Sequence, residues 1–298
     1  VNAVTEYEWC LYCGTDSGLV IIDTNDNKEK KNKLTQMLDG VRIRSLMVDS
    51  QNVLWISSYS DYGLISYDSN GNITTYNMEN NHTTSNRFRC ILETTDRTIV
   101  AGTADGINFI RDGKVENIIT AEDGLQNSQI LCLVQDKSGV IYACSDGAGI
   151  YLIQDGKIIG NYCTEDGLTS DVVLRMVPYR DRFFIVTSNA LCILENGTIH
   201  KLASFPYFNN YDIVIREEEA FVLSSAGIYR VNAEQLAADA VESYELYNVN
   251  PDPTLLGFGG MTPSASYRRR DRAMENRLPI MTYILSKFYD ENKKGFLI

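Results

Sequence analysis

A short phrase returns along this chain at intervals near 40 residues, and that period narrows the fold more than any other feature. The phrase is a β-rich run, a small residue, Ser or Thr, then Gly and a second apolar run. It reads LYCGTDSGLVIID (11–23), LWISSYSDYGLISYD (54–68), IVAGTADGINFIRD (99–112), IYACSDGAGIYLIQD (141–155), FIVTSNALCILEN (184–196) and FVLSSAGIYRVN (221–232). The glycine before the last apolar run falls at Gly18, Gly63, Gly106, Gly149 and Gly227, with Ala190 taking the fifth place. The steps are 45, 43, 43, 41 and 37 residues. Six units of about 40 residues match the four-stranded antiparallel blades of an all-β propeller.

Two further markers keep the same register. Asn70-Gly71, Asp112-Gly113, Asp155-Gly156 and Asn196-Gly197 recur at steps of 42, 43 and 41 residues. Such pairs tolerate positive φ at both central positions and so predict two-residue hairpins. In the fourth unit the alternation reads as strands at ILCLVQD (130–136), VIYAC (140–144), GIYLIQ (149–154) and KIIGNY (157–162). The third marker, LDGVRI (38–43), EDGLQNS (122–128), EDGLTSD (165–171) and the variant ENNHTTSNRF (79–88), suits the crossing from each outer edge back to the axis. The units divide at about 1–34, 35–78, 79–120, 121–163, 164–204 and 205–250. AEQLAADA (233–240) reads as a short helix before YELYN (244–248).

Residues 251–298 lack the repeat and are expected either to close the ring as a seventh blade or to form a helical and strand tail. TYILSKF (282–288) and KGFLI (294–298) are apolar enough to be closing strands. Seven blades is the preferred expectation and six the alternative.

Composition restricts function. Lys and Arg number 27 against 39 Asp and Glu, a net charge of −12, which argues against nucleic acid as a partner. Two His and seven Cys, with no CxxC pair, give no zinc or other metal site and imply no cofactor. No apolar stretch approaches about 18 residues, so no segment of the chain is expected to insert into a membrane. The chain opens without Met on VNAVTEY, which reads as a fragment whose targeting information has been removed.

The combination of DGL-x-S, apolar alternation ending in Asp, L-W-[IV]-x-T, and Gly-Leu with an aromatic resembles the two-component regulator propeller repeat. Leu54-Trp55-Ile56-Ser57 carries the tryptophan core; Leu11-Tyr12-Cys13-Gly14-Thr15 and Ile141-Tyr142-Ala143-Cys144-Ser145 substitute Tyr. The resemblance covers roughly 1–250, with units five and six departing most. It implies the extracytoplasmic sensor part of a bacterial hybrid histidine kinase or diguanylate cyclase, whose downstream signalling domains lie outside this sequence. It supplies no catalytic residues.

Propellers bind at the channel mouth, where the inner strands begin. Aligning VRIRSLMVD (41–49), NRFRCILET (86–94), SQILCLVQD (128–136) and DVVLRMVPY (171–179) places Arg42 and Arg44, then Arg87 and Arg89, at alternating positions that share a face. Arg175 faces them across the channel. Guanidinium forks suit carboxylate, sulfate or phosphate, so the expected partner is an anionic small molecule or oligosaccharide. His82, Asn127 and Ser170 lie in the crossing segments as further ligand-binding candidates, beside Ser128 and Thr169. The competing reading pairs the arginines with Asp39, Glu79 and Glu122.

Cys13 and Cys144, and Cys90 and Cys132, occupy equivalent positions in different units. Equivalent positions sit too far apart for disulfides, so all seven are expected as free, mostly buried thiols. Free thiols suit a reducing compartment, which leaves a cytoplasmic location open beside the extracytoplasmic one. The leading expectation is a non-catalytic ligand sensor that allows a homodimer. A propeller lyase or lactonase and a protein-interaction scaffold are the alternatives.

Overall fold

The computed structural model describes residues 1–206, 209–247, 289–290 and 295–296. Six four-stranded antiparallel sheets follow one another, each ordered in space as in sequence. Blade one comprises Ala3–Tyr7, Cys10–Thr15, Gly18–Asp23 and Glu29–Lys30; blade two Ile43–Val48, Leu54–Ser58, Leu64–Tyr67 and Ile73–Tyr76. Blade three comprises Phe88–Glu93, Ile99–Thr103, Ile107–Arg111 and Lys114–Ile119; blade four Ile130–Gln135, Ile141–Ser145, Ile150–Gln154 and Lys157–Tyr162. Blade five is built from Val173–Tyr179, Arg182–Thr187, Leu191–Glu195 and Thr198–Lys201, and blade six from Asp212–Arg216, Glu219–Ser224, Gly227–Asn232 and Glu245–Tyr247. The first strand of each blade packs beside the first strand of the next, from blade one through blade six. The core lies between blades. Tyr12 and Ile21 of blade one meet Ile43, Ile56 and Ile65 of blade two, and Phe184 of blade five meets Ile213 and Val222 of blade six.

Seven blades is thereby corrected to six. The described residues make six complete four-stranded sheets and no seventh. The physical reason is that 251–298 carries none of the three markers that turn a chain into a blade. Within KGFLI, Gly295–Phe296 pairs antiparallel with Tyr289–Asp290 in a two-stranded sheet of its own, while TYILSKF lies outside the described residues. Among the described residues no helix is long and apolar enough to cross a membrane.

Each marker has a structural cause. In all six blades the Ser or Thr that ends the second strand donates its hydroxyl to the carbonyl of the residue that opens or immediately precedes the third. The pairs are Thr15 to Gly18 (2.8 Å), Ser58 to Gly63 (2.8 Å), Thr103 to Gly106 (3.0 Å), Ser145 to Gly149 (2.9 Å), Thr187 to Ala190 (3.1 Å) and Ser224 to Gly227 (3.0 Å). Gly63, Gly106, Gly149 and Gly227 also have positive φ, and a Cβ there would collide with the carbonyl of Tyr76, Ile119, Tyr162 or Tyr247 at the fourth strand. Blade five manages with alanine because Ala190 does not adopt positive φ.

The Asp ending the first strand is a second clamp. Asp49 accepts from the amides of Gln51 (2.9 Å) and Val53 (2.8 Å) and from Trp55 Nε1 (2.7 Å), which locks the hairpin to the aromatic of the second strand. Asp136 repeats this with Ser138, Val140 and the Tyr142 hydroxyl. The EDGL crossings are short helical turns. Asp123 accepts from the Thr120 amide at 2.9 Å, Gly124 caps at φ 110°, and Leu125 plugs into the core. Asp112-Gly113, Asp155-Gly156 and Asn196-Gly197 have positive φ at both positions as expected; at Asn70-Gly71 only the glycine does. There Asp68 takes the amides of Asn70 and Asn72 (2.9 Å each) and holds a different turn.

These contacts rank the glycines. Gly149→Ala should lower unfolding stability by more than about 2 kcal/mol, since it adds a backbone clash to a strained φ. Gly71→Ala, whose Cβ meets nothing within 4 Å, should cost only about 1 kcal/mol. Urea midpoints of the two variants test the order.

Candidate functional site

The first strands of blades two to five share an irregularity that decides where their polar side chains go. In each, one residue is left out of the pairing with the second strand: Arg44 between Ile43 and Ser45, Arg89 between Phe88 and Cys90, Leu131 between Ile130 and Cys132, and Leu174 between Val173 and Arg175. An extra residue breaks the two-residue alternation and re-aims its side chain. Arg42 and Arg44 therefore part company. Arg42 turns back to blade one, with Nε 3.0 Å from Asp16 Oδ1. Arg44 turns toward Tyr59, its guanidinium carbon 5.5 Å from the ring centroid.

Arg89 approaches the same ring from blade three at 5.7 Å, and it donates to Gln129 Oε1 of blade four at 2.9 Å. Tyr59 thus sits between two guanidiniums, an arrangement favoured by the ring quadrupole. It is anchored by its own amide donating to Arg42 O (2.9 Å) and by a bridge to Arg87. The Arg87 side chain is exposed. Among the described residues Arg44, Arg87 and Arg89 have no carboxylate partner, and Tyr59 Oη and Arg89 Nε are buried without a hydrogen-bond partner.

One residue deeper, a tier of equivalent positions circles the axis: Ala3, Ser45, Cys90, Cys132, Arg175 and Asp212, each opposite the residue before the turn hydroxyl or directly preceding it. Arg175 belongs here rather than opposite Arg44 and Arg89. Its Nε lies 3.2 Å from Asp212 Oδ1, and it also reaches the Cys132 thiol. Burial raises the Asp212 carboxyl above its ordinary range even with Arg175 opposing it. Asp212 and Cys132 in turn hold the Arg175 guanidinium charged. The ion pair offsets part of the desolvation of Asp212 and not all of it.

The remaining candidates have structural duties. Asn127 donates to Asp146 O (2.8 Å), accepts from the Gln129 amide (3.0 Å), and its own amide donates to the Tyr151 hydroxyl (2.9 Å). Ser170 shares a hydrogen bond with Ser188 at 2.8 Å, and Thr169 with Thr187 at 2.8 Å. His82 ends the helix Met78–Asn81 in left-handed conformation at φ 54° and is exposed, filling the capping place that Gly124 and Gly167 hold elsewhere. Two of the five arginines pair with carboxylates among the described residues, Arg42 with Asp16 and Arg175 with Asp212, which differ from the expected Asp39, Glu79 and Glu122. Tyr59 and Gln129 escaped the sequence reading. Their positions, directly after the turn Ser and directly before a core Ile, were visible, but their chemistry is common.

No protein-family model matches the chain, and no curated protein matches it significantly. Solved structures do. The extracellular domain of BT3049 from B. thetaiotaomicron, assigned to a hybrid two component system, is similar at 17% identity and a TM-score of 0.68 over 85% of this chain and 35% of that one. The corresponding domain of BT4673 aligns at 14% identity and 0.67, over 84% and 36%. Virginiamycin B lyase from Staphylococcus aureus aligns at 14% identity and 0.64, over 84% and 85%. The chain spans about a third of the length of the two extracellular domains. At these identities the likeness shows the propeller fold.

The unpartnered Tyr59 hydroxyl makes a simple forecast. Tyr59→Phe removes a buried polar group without breaking a hydrogen bond, so stability should hold or rise by up to about 1 kcal/mol in urea unfolding. Asp212→Ala should instead destabilise by about 1–2 kcal/mol by stripping Arg175 of its counter-ion, and Arg175→Met in the same chain should relieve part of that loss.

Proposed function

We propose that this chain is the ligand-sensing propeller of a bacterial membrane-bound signal-transduction protein, placed outside the cytoplasm, and that it binds an anionic small molecule or acidic saccharide at the channel mouth without transforming it. The observation that carries this reading is Tyr59 held between Arg44 and Arg89 beside Arg87, three guanidiniums without carboxylate partners among the described residues. A local positive sector within a protein of net charge −12 favours one anionic ligand over diffuse polyanion binding. The ring holds the two guanidiniums in place, and their outward N–H groups suit a carboxylate or sulfate. The likeness to extracellular domains of two-component proteins supports the location and the sensor role; signalling domains beyond this sequence are part of the proposal.

The likeness to virginiamycin B lyase supports the enzyme alternative, which requires a base or a metal at the channel. His82 lies on an exposed crossing turn and His200 on the exposed outermost strand of blade five. A docking platform for another protein remains the third reading.

Isothermal titration with sulfated, uronic and neutral oligosaccharides of one length tests the proposal. An acidic member should bind and the neutral one should not, with affinity falling as salt rises. Arg44→Ala/Arg89→Ala should weaken binding by about 10- to 100-fold per lost charge-assisted contact. Arg42→Ala should change it little, because Asp16 already occupies that guanidinium. Equal affinity in the double variant, or equal binding of the neutral sugar, overturns the site. Cleavage of the bound ligand, seen by mass spectrometry, would favour the lyase reading.

A further inference from the structure

In the tier beneath the arginine sector, Cys132 has a second thiol, Cys144, directly opposite it on the neighbouring strand. Cys132 and Cys144 are direct partners across the first and second strands of blade four, both buried, and all seven cysteines are free. This differs from the equivalent-position pairs of the sequence reading, which lie in separate blades. Within one blade the two side chains pack in the same buried cluster. Cys132 Sγ also lies 3.8 Å from Met176 O, and the Arg175 guanidinium reaches it from blade five. Arg175 is the solvent-facing member of the group, its side chain 48% exposed. Opposed Cβ atoms on antiparallel strands stand about 4.5–5.5 Å apart, and a disulfide needs about 3.8 Å, so closure asks for roughly 1 Å of movement. The unpaired Leu131 next to Cys132 supplies slack in the first strand.

We infer that Cys132 and Cys144 are a peroxide-responsive dithiol that closes to a reversible disulfide within blade four, with Arg175 positioning and activating Cys132. Cys132 is the member beside Arg175, whose positive charge favours its thiolate, whereas burial pushes the Cys144 thiol up. The Cys132 thiolate attacks hydrogen peroxide: an S–O bond forms, the O–O bond breaks, and the departing hydroxide takes up a proton to leave as water. Cys144 sulfur then attacks Cys132 Sγ, forming the S–S bond and breaking the S–O bond. The second hydroxide leaves with the Cys144 proton as water. Two thiols are oxidised, one peroxide is reduced, and two waters result. A small peroxide suits a thiol as buried as Cys132; bulky disulfides do not. Oxidation takes the Cys132 sulfur away from Arg175 and leaves that guanidinium to Asp212 alone. This inference stands independently of the ligand reading.

The test uses the whole chain treated with hydrogen peroxide, alkylated and digested without reductant. A linked peptide pair containing Cys132 and Cys144, two hydrogens lighter than the thiol forms and reopened by a phosphine, is the expected result. Cys144→Ser should leave Cys132 as a sulfenic acid captured by dimedone. Arg175→Gln should slow capture about tenfold, with Arg175→Lys recovering most of the rate. Circular dichroism checks that each variant is folded. Both thiols remaining alkylatable in folded wild type, or Cys132 linking to Cys90, overturns the pair. Unchanged capture in folded Arg175→Gln overturns the role of Arg175.

Discussion

A buried hydroxyl donating to the carbonyl at the start of the third strand is the contact on which each blade depends. It recurs six times, from Thr15 to Ser224, and in four blades it is coupled to a glycine whose α-carbon lies against the carbonyl of the fourth strand. In blades two to five the same carbonyl also accepts the backbone amide of that Ser or Thr, so the hydroxyl bond is a second tie on one acceptor and leaves the hydroxyl itself satisfied, a gain of about 1 kcal/mol. The close approach then sets where the fourth strand ends and the crossing begins. Since each crossing delivers the chain to the next first strand, the geometry of one turn propagates to the axis. The Asp clamp at the opposite end, Asp49 with Trp55 or Asp136 with Tyr142, fixes the same two strands from below.

The repeat was legible because its markers are chemically obligatory at single positions. Only a hydroxyl of Ser or Thr size makes the turn bond, and only glycine fits at Gly149. Strand placement in blade four followed within a residue, at Ile130–Gln135 and Lys157–Tyr162. Blade number was less legible, because apolar content in a tail does not reveal whether it carries the turn chemistry of a blade. The Asn70-Gly71 turn was misread for a local reason: Asp68, two residues earlier, competes for the same amides.

The geometry of the candidate site was half legible. Arginines at 42, 44, 87 and 89 stand out in sequence, but alternation treats each pair as one face. The unpaired residue in each first strand separates them, and no composition signal announces it. Arg42 and Arg175 are consumed by Asp16 and Asp212, which leaves the positive sector to Arg44, Arg87 and Arg89. The asymmetry matters for binding, because only unneutralised guanidiniums exchange water for a ligand without first giving up a protein partner.

The residue left out of pairing in blades two to five is Arg, Arg, Leu and Leu. It belongs to no ladder rung, so its identity is uncoupled from strand register, and neighbouring blades hold a cation and an aliphatic chain at the same height. Blades two to five therefore share a slot whose side chain changes from Arg to Leu without moving the rungs on either side. The side chains at this height differ between blades while the turns that build the blades stay the same.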